Sequence, residues 1–358
     1  MGITGNKGEW SELYAFIKLL STGRLYAADE KLQILEDTYF PVLKVFRCED
    51  KCRNTEYIIK SDDGSVEIYL ENESIRTLDN RTIRRMAAYL YASIVAGKKR
   101  AFEIDDSESI MKQLECTKIS APSTDKTDIK IQVHDIHTGY EPICGFSIKS
   151  ELGTPPTLLN ASGATNFVFE IEGVSEEEAN TINSINTDTK IIDRIDVIRR
   201  CGKLKFKKAY NSTFSGNLML IDTYMEDIIA EILWDYYSGN AQDCKTLVAR
   251  LEEKNPLGYP RKGIYEYKMK KFLCSIALGM MPSKIWDGKD EANGGYIIVR
   301  DDGEVVAYHL YNRDAFEMYL LNNTKLERGS TKKHGFASIY RSEDGTMNIN
   351  LNLQIRFM

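Results

Sequence analysis

The sequence predicts an α/β (α+β) fold: a mixed sheet flanked by helices, with additional helical and β-hairpin elements toward the carboxyl end. Three observations carry this. Residues 127–150 hold two runs in which apolar and polar side chains alternate, the period of half-buried strands joined as a hairpin. Near the start, Trp10, Leu13, Tyr14, Ile17 and Leu20 fall on one helical stripe. Long helical spans between residues 218 and 278 then give way to short alternating runs over the last part of the chain.

In order, residues 9–20 form the first predicted helix, ended by Ser21, Thr22 and Gly23. Glu9 and Glu12 lie one turn apart along the edge of its apolar stripe. The plain reading is acids in a first turn, where the helix dipole favours them. Residues 24–80 alternate short strand-like runs (42–46, 57–59, 66–70) with charged turns and offer no chemistry. Residues 82–96 make a helix with Ile83, Met86, Ala87, Leu90, Ile94 and Val95 inward, closed by Gly97 before Lys98, Lys99 and Arg100, which read as a solvated helix end. Residues 105–114 form another helix.

The hairpin at 127–150 is the centre of the chain. Ile129, Ile131 and Val133 alternate with Asp128, Lys130 and Gln132, and Phe146 and Ile148 alternate with Ser147 and Lys149. With the turn centred near Gly139, Asp128 is expected opposite Lys149 and Ser150, although Pro142 is able to shift the register. Asp135 would pair near Ile143, roughly 20 Å from the lysine at about 3.3 Å per residue, so Asp128 is the better partner. An aspartate at a strand start followed by a strand bearing x-Lys is a half-site for phosphodiester hydrolysis, in which carboxylates hold Mg²⁺ and the lysine steers water and stabilises charge.

Past the hairpin, residues 153–156 break the strand and residues 157–166 are short of charge. Asn160, Ser162 and Asn166 there are candidate DNA contacts, and an ordinary turn suits them equally well. Residues 175–185 and 191–200 are helical, the first opened by a capping box of Ser175 and Glu178. The most basic stretch follows, with Lys203, Lys205 and Lys207 along one strand face. This is either a phosphate-tracking ladder or an edge strand guarded by lysines. Helices at 218–237, 243–254 and 265–278 are scaffold. A hairpin of 296–299 and 305–310, a helix at 313–321 and strands at 337–340 and 347–357 complete the chain. Between the last helix and strands lie Lys325, Arg328, Ser330, Thr331, Lys332, Lys333 and His334, a loop with donors for guanine edges and phosphates together, favoured for base reading.

Bulk properties narrow the class. With 358 residues, 42% apolar and 28% charged, the chain has material for one large or two modest cores. No apolar run reaches the roughly 18 residues of a membrane span, no signal peptide is evident, and the expected location is cytoplasmic. Seven scattered cysteines predict reduced thiols, and Cys48 and Cys52 form a lone C-x₃-C without a second pair. A net charge of −6 excludes a protein that coats nucleic acid indiscriminately but permits one basic cleft. His134 and His137 sit at the hairpin turn without metal-ligand spacing, which disfavours a histidine-metal nuclease.

The wording around the hairpin is more specific than its pattern. Residues 145–153 (GFSIKSELG), 156–162 (PTLLNAS) and 165–167 (TNF), with 5–14 (GNKGEWSELY) and 351–357 (LNLQIRF), resemble the HpaII family of type II restriction endonucleases over essentially the whole chain. The resemblance implies a restriction-endonuclease-like fold with a PD-(D/E)xK core, and Mg²⁺-dependent cleavage of double-stranded DNA at CCGG after the first cytosine. It also implies a partner DNA cytosine methyltransferase that protects the host. The implied regions are 1–120, an amino-terminal helix with a small β/α region; 121–215, the catalytic core; and 216–358, a helical and β region with the recognition loop. A homodimer is compatible.

The departure from the wider nuclease pattern is Ser147, where an acid is expected. A hydroxyl is a poor Mg²⁺ ligand, so either the ion is held by fewer protein oxygens or another acid moves in: Glu12 first, because the core commonly takes a carboxylate from a preceding helix, then Glu9, then Glu170. The expected site is therefore Asp128, Glu12 and the Ile148 carbonyl on the metal, Lys149 on the attacking water, and Ser147 holding a metal-bound water. Two other readings stand beside it: a DNA-binding protein whose nuclease centre has decayed, with Ser147 as the scar, and a Ser-Lys hydrolase using Ser147 and Lys149.

Overall fold

The structure, a computed structural model, describes residues 2–50, 53–121, 127–136, 138–308 and 313–358. Cys52, His137 and the last two residues of the expected 305–310 strand lie outside the described residues. The described chain divides into two compact units, residues 1–156 with 290–316, and residues 157–289 with 317–358.

In the first unit α1 (Lys7–Thr22) starts one turn before the apolar stripe, because Asn6 caps it. The Asn6 side chain accepts the Glu9 N–H at 3.1 Å while the Glu9 carboxylate takes the Asn6 N–H at 2.7 Å. Gly23, at φ 61°, ends the helix in the left-handed region where glycine carries no steric cost. Trp10, Leu13, Phe16, Ile17 and Leu20 are all buried. At about 1.5–3 kcal/mol per large apolar side chain, this stripe is a major anchor of the unit.

The sheet beneath it has nine strands. In chain order these are β2 (Arg24–Ala28), β3 (Ile34–Asp50), β4 (Arg53–Ile59), β5 (Val66–Leu70), β6 (Glu73–Leu78), β8 (Ile129–Val133), β9 (Ile143–Ser150), β13 (Gly295–Val299) and β14 (Val305–Tyr308). Their spatial order is β2-β14-β13-β9-β8-β3-β4-β5-β6. The β9–β13 and β2–β14 pairs are parallel and the others antiparallel, so the sheet is mixed as predicted. The long β3 also pairs with β2 through its first half, so six strands form a closed circuit. Sequence alone gave residues 24–80 no role, yet they supply five strands of the sheet that holds the central hairpin. A short pair, β1 (Thr4–Gly5) with β7 (Phe102–Glu103), and helices α2 (Asn80–Ala96) and α3 (Ser107–Gln113) complete the unit.

The second unit has a four-stranded antiparallel sheet, β12 (Lys203–Ala209), β11 (Asn166–Glu172), β17 (Met347–Asn352) and β16 (Ile339–Arg341), in that order. A three-stranded sheet joins β10 (Thr157–Leu159), β18 (Ile355–Phe357) and β15 (Thr324–Leu326). Its helices are α4 (Glu176–Ser184), α5 (Lys190–Cys201), α6 (Ser212–Ile221), α7 (Met225–Tyr237), α8 (Cys244–Lys254), α9 (Ile264–Leu278) and the single turn α11 (Thr331–His334), while α10 (Arg313–Asn322) begins in the first unit. The capping box of Ser175 and Glu178 is present. The single helix expected over 218–237 is instead two, broken at Asp222, whose carboxylate accepts the Tyr224 N–H at 2.9 Å and the Lys268 ammonium at 2.8 Å. A side chain bonding the backbone two residues on competes with helical hydrogen bonding.

Candidate active site

The hairpin exists, but its register differs from the expected one. Ile129 pairs with Phe146, which sets Asp128 level with Ser147 rather than with Lys149 and Ser150. The cause is a tight connection. Asp135, buried at 3% exposure, accepts both the N–H and the hydroxyl of Thr138, and the Asp135 N–H reaches the Tyr140 carbonyl at 2.8 Å. The turn closes before Pro142. Asp135 is thus a turn-former.

The shifted register still brings acid and amine together, through Ser147. Asp128 Oδ2 accepts the Ser147 hydroxyl at 2.9 Å and the Ile148 N–H at 2.6 Å. The Lys149 ammonium donates to Ser147 Oγ at 2.9 Å and to the Ile148 carbonyl at 3.1 Å. Ser147 is 4% exposed. A hydroxyl both buried and committed to Asp128 is not an acyl acceptor, which removes the Ser-Lys hydrolase reading.

Glu12 reaches the same place from α1. The Ala121 N–H donates to Glu12 Oε2 at 2.9 Å. Burial, and after it the negative charge of Asp128, push the Glu12 carboxyl up to about 8, while the Ala121 N–H, Lys149 and Arg47 act in the opposite direction. Two acids repelling each other beside a lysine form a site that favours added positive charge. Asp128 Oδ1 and Glu12 Oε1 carry no hydrogen bond among the described residues, so each acid keeps one oxygen for a ligand. Among the described residues no cluster of three or more His, Cys, Asp or Glu forms.

Other expected site residues fall elsewhere. Glu9 is consumed by the helix cap. Glu170 lies in the second unit, 3.8 Å from the Lys207 ammonium, and Lys207 is also held by Asp344 at 2.8 Å. β12 is an edge strand on which Lys203 and Lys205 stand level with Glu172 and Glu170, so part of the ladder's charge is balanced by its neighbours. Asn166 is buried and structural: its amide donates to the His334 carbonyl at 2.9 Å and its oxygen accepts from Asn352 at 2.7 Å. Asn160 is exposed and Ser162 half-buried. The expected base-reading loop is partly helical, with Ser330 capping α11, and Arg328, Ser330, Lys332 and Lys333 exposed while Thr331 and His334 are half-buried. Two residues went unnoticed in the sequence. Arg47 acts on Glu12 from β3, and Tyr296 lies beside Lys149 from β13. A charged residue ending an apolar run was a weak signal for Arg47, and none existed for Tyr296.

The mixed sheet flanked by helices, with two acids and a lysine gathered at one strand pair, is consistent with a fold of the restriction-endonuclease-like class. The HpaII restriction endonuclease family matches the chain over residues 6–357. The Type II restriction enzyme HpaII of Haemophilus parainfluenzae is 40% identical over 359 residues, covering 99% of each chain. No solved structure matches. The chain belongs to the HpaII restriction endonuclease family, and is a restriction endonuclease.

Proposed function

We propose that this endonuclease cuts both strands of DNA at CCGG with Mg²⁺, through Asp128, Glu12 and Lys149. The observation that carries the chemistry is the pair of acids, each with one oxygen uncommitted, beside the Lys149 ammonium. Sequence-specific cleavage of DNA follows from the family. The particular site rests on the 40% identity to HpaII.

The donor set suits a hard divalent cation: two carboxylate oxygens that repel each other, with the Ile148 carbonyl as a third oxygen. Glu12, Asp128 and Ile148 would hold it, and it would supply polarisation of the scissile phosphate and neutralise charge developing there. Lys149 is half-buried and donates to Ser147 and Ile148, which aims its ammonium along the strand end. From there it orients the attacking water and offers its positive charge to the pentavalent phosphorus centre. Ser147 keeps Asp128 in place by donating to Oδ2, which leaves Oδ1 as the outward oxygen. The displaced group is the 3′ oxygen, in line with the attacking water.

Arg328, Ser330, Thr331, Lys332, Lys333 and His334 are the base-reading and backbone-contacting group of this reading, with Lys203, Lys205, Asn160 and Ser162 as further backbone contacts. A palindromic four-base site suits a homodimer. Survival of the host's own DNA calls for a matching cytosine methyltransferase as partner in this reading, and a DNA substrate supports a cytoplasmic location. Among the described residues no helix is long and apolar enough to cross a membrane.

The test is digestion of a plasmid of known sequence with Mg²⁺ and mapping of the ends. Ends lacking CCGG refute the site. Lys149→Ala is expected to abolish cleavage while DNA binding persists, and turnover like that of the unmodified chain in this variant overturns the assignment. Absence of any Mg²⁺-dependent cutting by the unmodified chain would instead favour the decayed, binding-only reading.

A further inference from the structure

Lys149 is fixed on more sides than its hydrogen bonds account for. Its ammonium lies 5.3 Å from the centre of the Tyr296 ring, inside the roughly 6 Å range over which an aromatic face attracts a cation. The sheet enforces this approach. β13 runs parallel to β9 with Tyr296 level with Ser147 and Ile298 level with Lys149, so in a pleated pair these four side chains share one face. Tyr296 is buried, 2% exposed, with the Phe316 ring 5.0 Å away at 57°.

A long unrestrained amine samples many rotamers, and a proton-handling group loses efficiency with each ångström of misplacement. Hydrogen bonds from Nζ to Ser147 Oγ and the Ile148 carbonyl fix two directions, and the ring face closes a third. We infer that Tyr296 is a positioning residue for cleavage: its ring face, with Ser147 and the Ile148 carbonyl, cages the Lys149 ammonium over the scissile phosphate. The inference rests on the proposed role of Lys149. It adds a residue from a segment distant in the chain, acting through its π face rather than its hydroxyl.

The experiment is single-turnover cleavage by the full-length enzyme of a duplex carrying the mapped site, with DNA affinity measured in parallel. Tyr296→Leu removes the ring and is expected to lower the cleavage rate about tenfold with little change in affinity. Tyr296→Phe keeps the ring and is expected to restore the rate. Because Tyr296→Leu empties part of a core, a second series guards against misfolding: phenylalanines with increasing ring fluorination, which keep the shape while withdrawing charge from the face. A stepwise fall in rate along this series supports the cage. A flat series, or a loss in Tyr296→Phe equal to that in Tyr296→Leu, overturns it. Lys149→Ala is run alongside. If it cleaves normally, the role of Lys149 itself fails. If it is inactive while the fluorinated series is flat, only the cage fails.

Discussion

The Ser147 hydroxyl donates to Asp128 at 2.9 Å, so the residue standing where the wider nuclease pattern has an acid serves the remaining acid as a hydrogen-bond donor. The same oxygen accepts from Lys149, making Ser147 the link between the acid and the amine.

Ser147→Ala is therefore expected to slow cleavage about tenfold to a hundredfold, because Asp128 and Lys149 each lose a fixed partner. Binding of the DNA site measured in Ca²⁺ should stay within about twofold, since Ser147 is buried. A rate unchanged in single-turnover assays would remove Ser147 from the mechanism.

Glu12 gives a pH prediction. Its carboxyl, raised by burial and then by Asp128 to about 8, holds its proton in the folded chain where the unfolded chain has released it. The resulting stabilisation is complete below the unfolded value near 4.5 and is lost as pH rises through about 8. Glu12→Gln has nothing to titrate. In EDTA its unfolding free energy should match that of the unmodified chain near pH 5 and exceed it at pH 8.5, by on the order of 2 kcal/mol. The variant should not cut DNA. Equal differences at both pH values would show that the Glu12 proton does not couple to folding.

In the second unit, Asp235 ties α7 to α8 by accepting from Arg250 and Lys254, each at 2.5 Å, with only 5% of its side chain exposed. Burial acts to raise this carboxyl, but the hydrogen bonds from Arg250, Lys254 and Asn240 outweigh it and bring it down to about 2. Its contribution is present above the unfolded value near 3.8 and is lost as pH falls through about 2. Asp235→Asn should cost about 3 kcal/mol at pH 7 and much less near pH 2 in urea unfolding. A cost independent of pH would point to packing alone.

For DNA binding, replacing Lys332 and Lys333 together by alanine should weaken affinity for any duplex and reduce the slope of log affinity against log salt by about 2. Arg328→Ala should add a loss of discrimination between the cut site and its single-base variants. If neither the slope nor discrimination changes, the exposed turn at Ser330–His334 does not meet DNA.

Periodicity made the helices legible. The stripe of Trp10, Leu13, Tyr14 and Ile17 and the capping box at Ser175 are local, and local rules place them. Asp128, Lys149 and Glu12 were singled out because residue type and family wording agree there, and the structure brings the three together. The register was not legible, because Asp135 tightens the turn through its own hydrogen bonds to Thr138, which spacing does not report. The ring at Tyr296 was hidden for a different reason: adjacency of β13 to β9 is a long-range, parallel pairing with no local sequence signal. Asn166 looked like a surface amide because a polar residue in a turn-rich run reads as exposed, yet it is buried under the His334 carbonyl.

The closed circuit of six strands leaves the two strands carrying the acid and the amine flanked on both sides, β8 by β3 and β9 by β13. Fraying from an edge cannot pull them apart, and separating them requires the whole ring to open. Their amides should accordingly be among the slowest of the unit to exchange with deuterium, through an opening that costs the full free energy of unfolding.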